Sequence, residues 1–144
     1  MSRYRQVVRF LFAVIFIGGG ITHFVMGRTM PDGYAVFGDT ALIPGLGAVW
    51  DSFVMPNIGW LTILTGIFEI ACGLGLLSRQ FVRIAATLII GFLIFITILG
   101  YGFPAEGFIS DLISNRLITI VMVLLVFPLA LTGMPKNEAT ADRQ

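Results

Sequence analysis

Glu69 is a carboxylate set inside an otherwise apolar run, IGWLTILTGIFEIACGLGLL, at positions 58–77. At bilayer depth a carboxylate costs about 2.5–3.5 kcal/mol on insertion scales, so chains keep one where it has a partner or a use. His23, the single histidine of the chain, lies near the end of a second apolar run. Both side chains can hold and release a proton. The chemistry open to them is therefore proton relay, or hydrogen bonding to the polar head of a lipophilic molecule. Positions three and four apart share a helix face. Thr62, Gly66, Glu69 and Gly73 line up in this way, with Thr65 and Cys72 beside them. Gly20, His23 and Gly27 line up in the other run, flanked by Thr22. The segments GITHFVMG (20–27) and GIFEIACG (66–73) thus share a frame of two glycines around one polar residue. Small residues so placed let helix backbones approach while the polar group faces protein. We expect Glu69, His23, Thr62, Thr65 and Thr22 to bind a ligand or relay protons, and Gly20, Gly27, Gly66 and Gly73 to serve helix packing. The plainer alternative is a Glu69 that hydrogen-bonds a threonine or a backbone carbonyl and only fixes the bundle.

The elements that must carry these residues follow from composition. The chain has 144 residues, 57% hydrophobic and 12% charged, with a mean hydropathy of +0.95. Soluble domains carry about 25% charged residues, so too little polar surface is present for a water-facing globule. Four apolar runs, 7–26, 58–77, 81–100 and 117–134, each approach the ~20 residues that a bilayer core requires. Unpaired strand edges do not survive in lipid, and these runs do not alternate as barrel strands do. The fold expected is an all-α, four-helix antiparallel transmembrane bundle, one domain over 1–144. Arg3, Arg5 and Arg9 look like the start of a signal peptide, with Gly18 to Gly20 as its small residues. The apolar run nevertheless continues to Met26 with no A-x-A site after it, so the first span is read as retained.

Basic residues orient the bundle. With both termini cytoplasmic, Arg3, Arg5, Arg9, Arg79, Arg83, Lys136 and Arg143 lie inside and only Arg28 and Arg116 outside, the bias expected of short loops in a cell inner membrane. Ser78-Arg79-Gln80 joins the second and third spans, which makes them antiparallel neighbours. The outer segment 27–57 is about thirty residues, long enough to carry structure or function of its own. It opens on the turn signal PDG (31–33) and breaks again at PGLG (44–47). The apolar pieces YAVF (34–37) and AVWDSFV (48–54) lead us to expect a folded cap with a short interfacial helix around Ala48 to Met55.

Depth brings the two titratable groups together. Taking Arg9 and Arg79 as the inner boundary, His23 lies about 21 Å above it and Glu69 about 15 Å, a gap of about 6 Å that two side chains can span. By the same rise Arg116 lies at the outer headgroup level, where it is expected to snorkel or pair with Asp111. One histidine and one cysteine cannot build a two-histidine haem, copper or zinc site within one chain. There is no phosphate-cradling glycine loop, and a net charge of +1 offers no basic patch for nucleic acid. We therefore expect no metal, no intrinsic cofactor and no independent catalysis.

The stretch FIGGGITHF (16–24) resembles the first helix of the DoxX family, and LTGIFEIACGLGLL (64–77), with its short basic turn and following apolar helix, resembles the family's second and third. The resemblance covers about the first hundred residues and touches Gly20, Gly66, Glu69, Gly73 and, more loosely, His23. It implies an accessory role in membrane redox systems, of the kind associated with thiosulfate:quinone oxidoreduction and terminal oxidases. Three functions remain open. The favoured one is an accessory subunit of a respiratory or redox complex with a quinone site near Glu69 and His23. The others are a small proton-coupled exporter of lipophilic compounds using Glu69, and a scaffold without a ligand. The partners expected are the lipid bilayer, membrane oxidoreductase subunits and further copies of the chain.

Overall fold

The computed structural model describes residues 3–131. Helix α1 (Arg3–Thr29) extends beyond both ends of the apolar run read from the sequence. A 3-10 helix, Pro31–Gly38, follows after a single residue. Next comes a continuous helical run in four pieces: α2 (Leu46–Val49), a π turn (Trp50–Val54), a 3-10 turn (Met55–Asn57) and α3 (Ile58–Leu77). Helix α4 (Val82–Leu99) is antiparallel to α3. A second composite run consists of α5 (Gly107–Asp111), a π turn (Leu112–Arg116) and α6 (Leu117–Leu131). Among the described residues there is no strand, and four helical runs are long and apolar enough to cross a membrane. Residues 132–134 of the fourth expected span, Lys136 and Arg143 lie outside the described residues.

Two boundaries differ from the sequence reading for a shared reason. The interfacial helix expected around Ala48 to Met55 is not a separate element, because the run Leu46–Leu77 is 32 residues long. Proline removes a backbone donor and crowds the preceding turn, so Pro56 reads as a stop. Here the chain widens into the π turn ahead of Pro56 and tightens into the 3-10 turn around it. Asn57 Nδ2 donates to the Phe53 carbonyl at 2.7 Å, meeting an acceptor in the distorted turn. The fourth span likewise starts ten residues early, at Gly107 instead of 117, through the other π turn. Such turns recur where side chains must be re-aimed. Trp50 lies on the first, and Asn115 and Arg116 on the second.

Packing divides the bundle into two ends. Helix α1 lies chiefly on α3, and α4 on α6. The dry core is built from Phe12, Phe16, Leu76, Ile89, Val126 and Leu129, with Cys72 buried among them. It fills the end nearer Arg9, whose guanidinium donates to the carbonyls of Leu76 (2.7 Å), Leu77 (3.1 Å) and Ser78 (3.3 Å). Those carbonyls end α3 without intrahelical partners, so a cation there both satisfies them and complements the helix dipole. Outward faces carry large apolar side chains, among them Phe10, Ile21, Phe108 and Leu124. Polar and aromatic residues gather at the other end.

That end is tied by a second arginine. Arg116 is buried at 4% exposure. It pairs with Asp111 through Nε at 2.6 Å and Nη2 at 3.2 Å. Its remaining donors reach the Thr97 and Ile98 carbonyls at the end of α4 and the Thr40 carbonyl at 2.6 Å. Of the two roles expected for it, Arg116 takes the pairing with Asp111, but as a buried cap of α4 and not as a side chain reaching for water. Asn115, fully buried, accepts from the backbone N–H groups of Tyr101 (3.2 Å) and Phe103 (2.9 Å) and donates to Phe103 O and Asp111. Segments 39–42 and 101–103 are thereby fastened to the bundle.

Candidate functional site

Close approach of α1 and α3 sets the site. A Cβ on Gly20 would lie 2.6 Å from the Gly66 carbonyl oxygen, and one on Gly66 would lie 2.8 Å from that of Gly20. One on Gly73 would meet Ile17 Cγ1 at 2.7 Å, and one on Gly27 would overlap the Thr62 hydroxyl. Only hydrogen fits at these crossings, so all four glycines expected to serve packing sit between the two helices. Gly19, one position from Gly20, has a different use. A Cβ there would lie 2.7 Å from Glu69 Oε2, so the carboxylate occupies the space that a side chain would fill.

His23 and Glu69 face each other across this seam, with Nε2 and Oε2 3.7 Å apart. That is within ion-pair reach and longer than a hydrogen bond. Glu69 is 7% exposed, and its Oε2 is buried without a hydrogen-bond partner among the described residues. A buried oxygen left in that state is costly and marks strain, chemistry or an exchangeable partner. On the far side of the imidazole, Nδ1 lies 2.7 Å from the Tyr34 hydroxyl, and the two rings stack at 5.6 Å. Carboxylate, imidazole and phenol thus form one chain across three elements.

Tyr34 is held from behind. Trp50 Nε1 donates to its backbone carbonyl at 2.8 Å, which fixes the 3-10 helix against the first π turn. Tyr34 is buried, and burial, followed by the negative charge of Glu69, raises the pKa of its phenol above the usual value. Tyr101, beyond the end of α4, is raised by the same two causes in the same order. Both phenols therefore remain protonated donors at neutral pH. Phe37 bridges the group, its ring centroid 6.1 Å from Tyr34, 6.3 Å from Trp50 and 6.3 Å from Tyr101.

In front of this chain lies a partly open cavity of about 210 Å³. His23, Tyr34, Thr62 and Thr65 supply its polar atoms. The rest of the wall is apolar, with the rings of Phe37, Trp50, Phe92 and Phe95 set among the aliphatic side chains of Val54, Ile58, Leu61, Ile96 and Leu99. Glu69 does not line it and stands behind His23. A second, wider cleft of about 580 Å³ lies over the Asp111–Arg116 pair. Arg116 there is already engaged by Asp111 and by backbone carbonyls, so the cavity beside His23 is the better candidate.

The threonines do less than their face positions imply. Thr62 and Thr65 donate within α3, to the Ile58 carbonyl at 2.9 Å and the Leu61 carbonyl at 3.0 Å, although both reach the cavity wall. Thr22 donates to Gly18 O at 2.9 Å and is exposed on the outer face of α1, away from Glu69. No hydrogen bond joins Glu69 to any of the three, which removes the packing-only account in which a threonine satisfies it. Tyr34, Trp50, Phe37 and Gly19 were not singled out from the sequence. The available clue was a lone phenol in the apolar piece between the two turn signals and a lone indole in the apolar piece after the second. No group of three or more His, Cys, Asp or Glu that could hold a metal ion occurs among the described residues.

Comparison with known proteins adds one finding. The DoxX family model matches residues 5–102, a stretch that includes every residue of the carboxylate–imidazole–phenol chain and all of the cavity wall. No curated protein and no solved structure matches the chain.

Proposed function

The chain belongs to the DoxX family, and on that premise we propose that this multi-pass membrane protein is an accessory subunit of a membrane redox system whose cavity holds the ring of a quinone-type molecule. The observation that carries this reading is the cavity itself, a ring-lined slot with one polar corner, made by His23 and Tyr34 and backed by a buried carboxylate that faces His23 at 3.7 Å. Sites for drug-sized ligands run from about 300 to 1,000 Å³. About 210 Å³ accommodates a single ring and leaves an isoprenoid or alkyl tail to run out among the lipid chains. Flat aromatic walls favour a flat ligand by stacking. The polar corner hydrogen-bonds the ring oxygen. A proton-coupled exporter would need its membrane carboxylate to meet a cationic substrate directly. Glu69 stands behind the imidazole, which suits a proton store better than a counter-ion.

Trp50 lines the cavity and Trp60 is exposed on the bundle surface, so fluorescence can test the reading. In a Trp60→Phe background in lipid nanodiscs, decyl-benzoquinone should quench Trp50 saturably. Thr65→Phe, which places a ring in the cavity, should weaken that quenching at least tenfold, or about 1.4 kcal/mol. Linear, non-saturating quenching that is the same in both proteins would contradict the proposal.

A further inference from the structure

We infer that Tyr34 is the specificity-determining residue of this cavity, and that the proton count on the Glu69–His23 pair decides whether its phenol offers the ligand a hydrogen-bond acceptor or a donor. This deepens the reading of the cavity as a ring-ligand site and rests on it.

Neutral imidazole carries one N–H, and the nitrogen that bears it is set by what the other nitrogen faces. When Glu69 is ionised and His23 is neutral, a lone pair on Nε2 would point at a carboxylate oxygen 3.7 Å away and be repelled. The hydrogen therefore sits on Nε2 and Nδ1 is bare. At 2.7 Å from that bare nitrogen, the Tyr34 hydroxyl must donate to it. The phenol then has only lone pairs left for the cavity, and the preferred ligand head is one that donates, a ring hydroxyl.

Adding one proton to the pair reverses every step. The proton resides on the carboxyl, which then donates to Nε2 and drives the imidazole hydrogen to Nδ1, or it makes the imidazolium, which carries hydrogen on both nitrogens. In either arrangement Nδ1–H donates to the Tyr34 oxygen. The Tyr34 O–H, released from His23, turns to the cavity and selects a ligand head that accepts, a ring carbonyl. Because both placements of the proton give the same result, the pair acts as one titrating unit. Binding and protonation are then reciprocal: a carbonyl ligand favours the protonated pair, and the protonated pair favours a carbonyl ligand.

The surroundings admit this coupling. The titratable groups that sense Glu69 are Tyr34 on the 3-10 helix, Tyr101 after α4 and Cys72 on α3 itself. None of them is a cation, and the ion-pair partner of Glu69 among the described residues is His23. Oε2 makes no hydrogen bond among the described residues, so it can carry the extra proton without breaking one.

The experiment uses the full chain in nanodiscs and two redox-inert probes of similar length. 4-Hexylphenol can donate or accept, whereas 4-hexylcyclohexanone only accepts. Affinities are measured by titration calorimetry across about pH 5 to 9, the range in which imidazoles change charge. The cyclohexanone should lose affinity as pH rises, approaching tenfold per pH unit once the pair is deprotonated, because its binding then takes up one proton. Repeating the titration in buffers of different ionisation heat should show that uptake directly. The phenol should show no such loss. Tyr34→Phe should make the two pH profiles parallel while retaining ring binding, and Glu69→Gln should flatten the cyclohexanone profile if the aromatic substitution unfolds the protein. Parallel profiles in the unmodified protein would overturn the switch and leave the ring-ligand site standing. Absence of binding by both probes would overturn both readings.

Discussion

Replacing Gly66 with leucine is expected to abolish the native packing of α1 against α3 and to lower the midpoint of thermal unfolding in detergent more than any other single change at the seam. The first atom of the new side chain would lie 2.8 Å from the Gly20 carbonyl oxygen and 3.1 Å from the ring of Phe24. Overpacking a core costs about 1–3 kcal/mol where side chains can shift. Here one obstacle is backbone on the facing helix, so the cost should reach or exceed about 3 kcal/mol, the upper end of that range. The helices must separate, and separation carries His23 away from Glu69 one turn on. Gly91 supplies the control, since a Cβ there has nothing within 4 Å. Gly91→Ala should leave stability unchanged or raise it by about 0.5–1 kcal/mol through helix propensity. Equal melting points for Gly66→Leu and the native chain would refute the close-packed seam.

Arg116→Ala is the second substitution with a large expected effect. It strands the Asp111 carboxylate and the carbonyls of Thr97, Ile98 and Thr40, all now held by one guanidinium. Breaking a buried pair from one side typically costs about 3–5 kcal/mol, because the surviving charge is left without compensation. Asp111 keeps its contact with Asn115, which places the expected loss at the lower end. Lysine should recover only part of it, since a single ammonium cannot reproduce the fork that meets both Asp111 oxygens. Segments 39–42 and 101–103 should then exchange their amide hydrogens faster than α3 does. Native-like exchange there in Arg116→Ala would show that the arginine does not fasten them.

The transmembrane fold was legible because the bilayer imposes it. Runs near twenty apolar residues leave no alternative to helices, and the run 58–77 coincides with α3. The glycine frame was legible because hydrogen-only crossings leave a spaced pattern around a polar residue. Depth counting put His23 and Glu69 within about 6 Å of each other in height, and they are 3.7 Å apart. What the sequence concealed was tertiary. Tyr34 reaches His23 because a 3-10 helix folds back onto α1, and no local periodicity encodes that return. Trp50 belongs to the apolar piece 48–54 of the outer segment, and its indole holds Tyr34 from a π turn. Pro56 hid the length of the second run, because the rule that proline stops helices gives no warning of a widened turn that accommodates it. Asn115, a plain polar residue in sequence, is the fully buried hub of four hydrogen bonds.

We propose that a ring ligand occupies the cavity in front of the Tyr34–His23–Glu69 chain. Photolabelling with an azido-quinone of short alkyl tail, followed by peptide mapping, tests it most directly. We predict saturable labelling concentrated on cavity-wall residues such as Trp50, Leu61 and Phe95, displaced by excess unlabelled quinone and lost in Thr65→Phe. Labelling spread over the lipid-facing side chains of all four helical runs, with no displacement, would contradict the account.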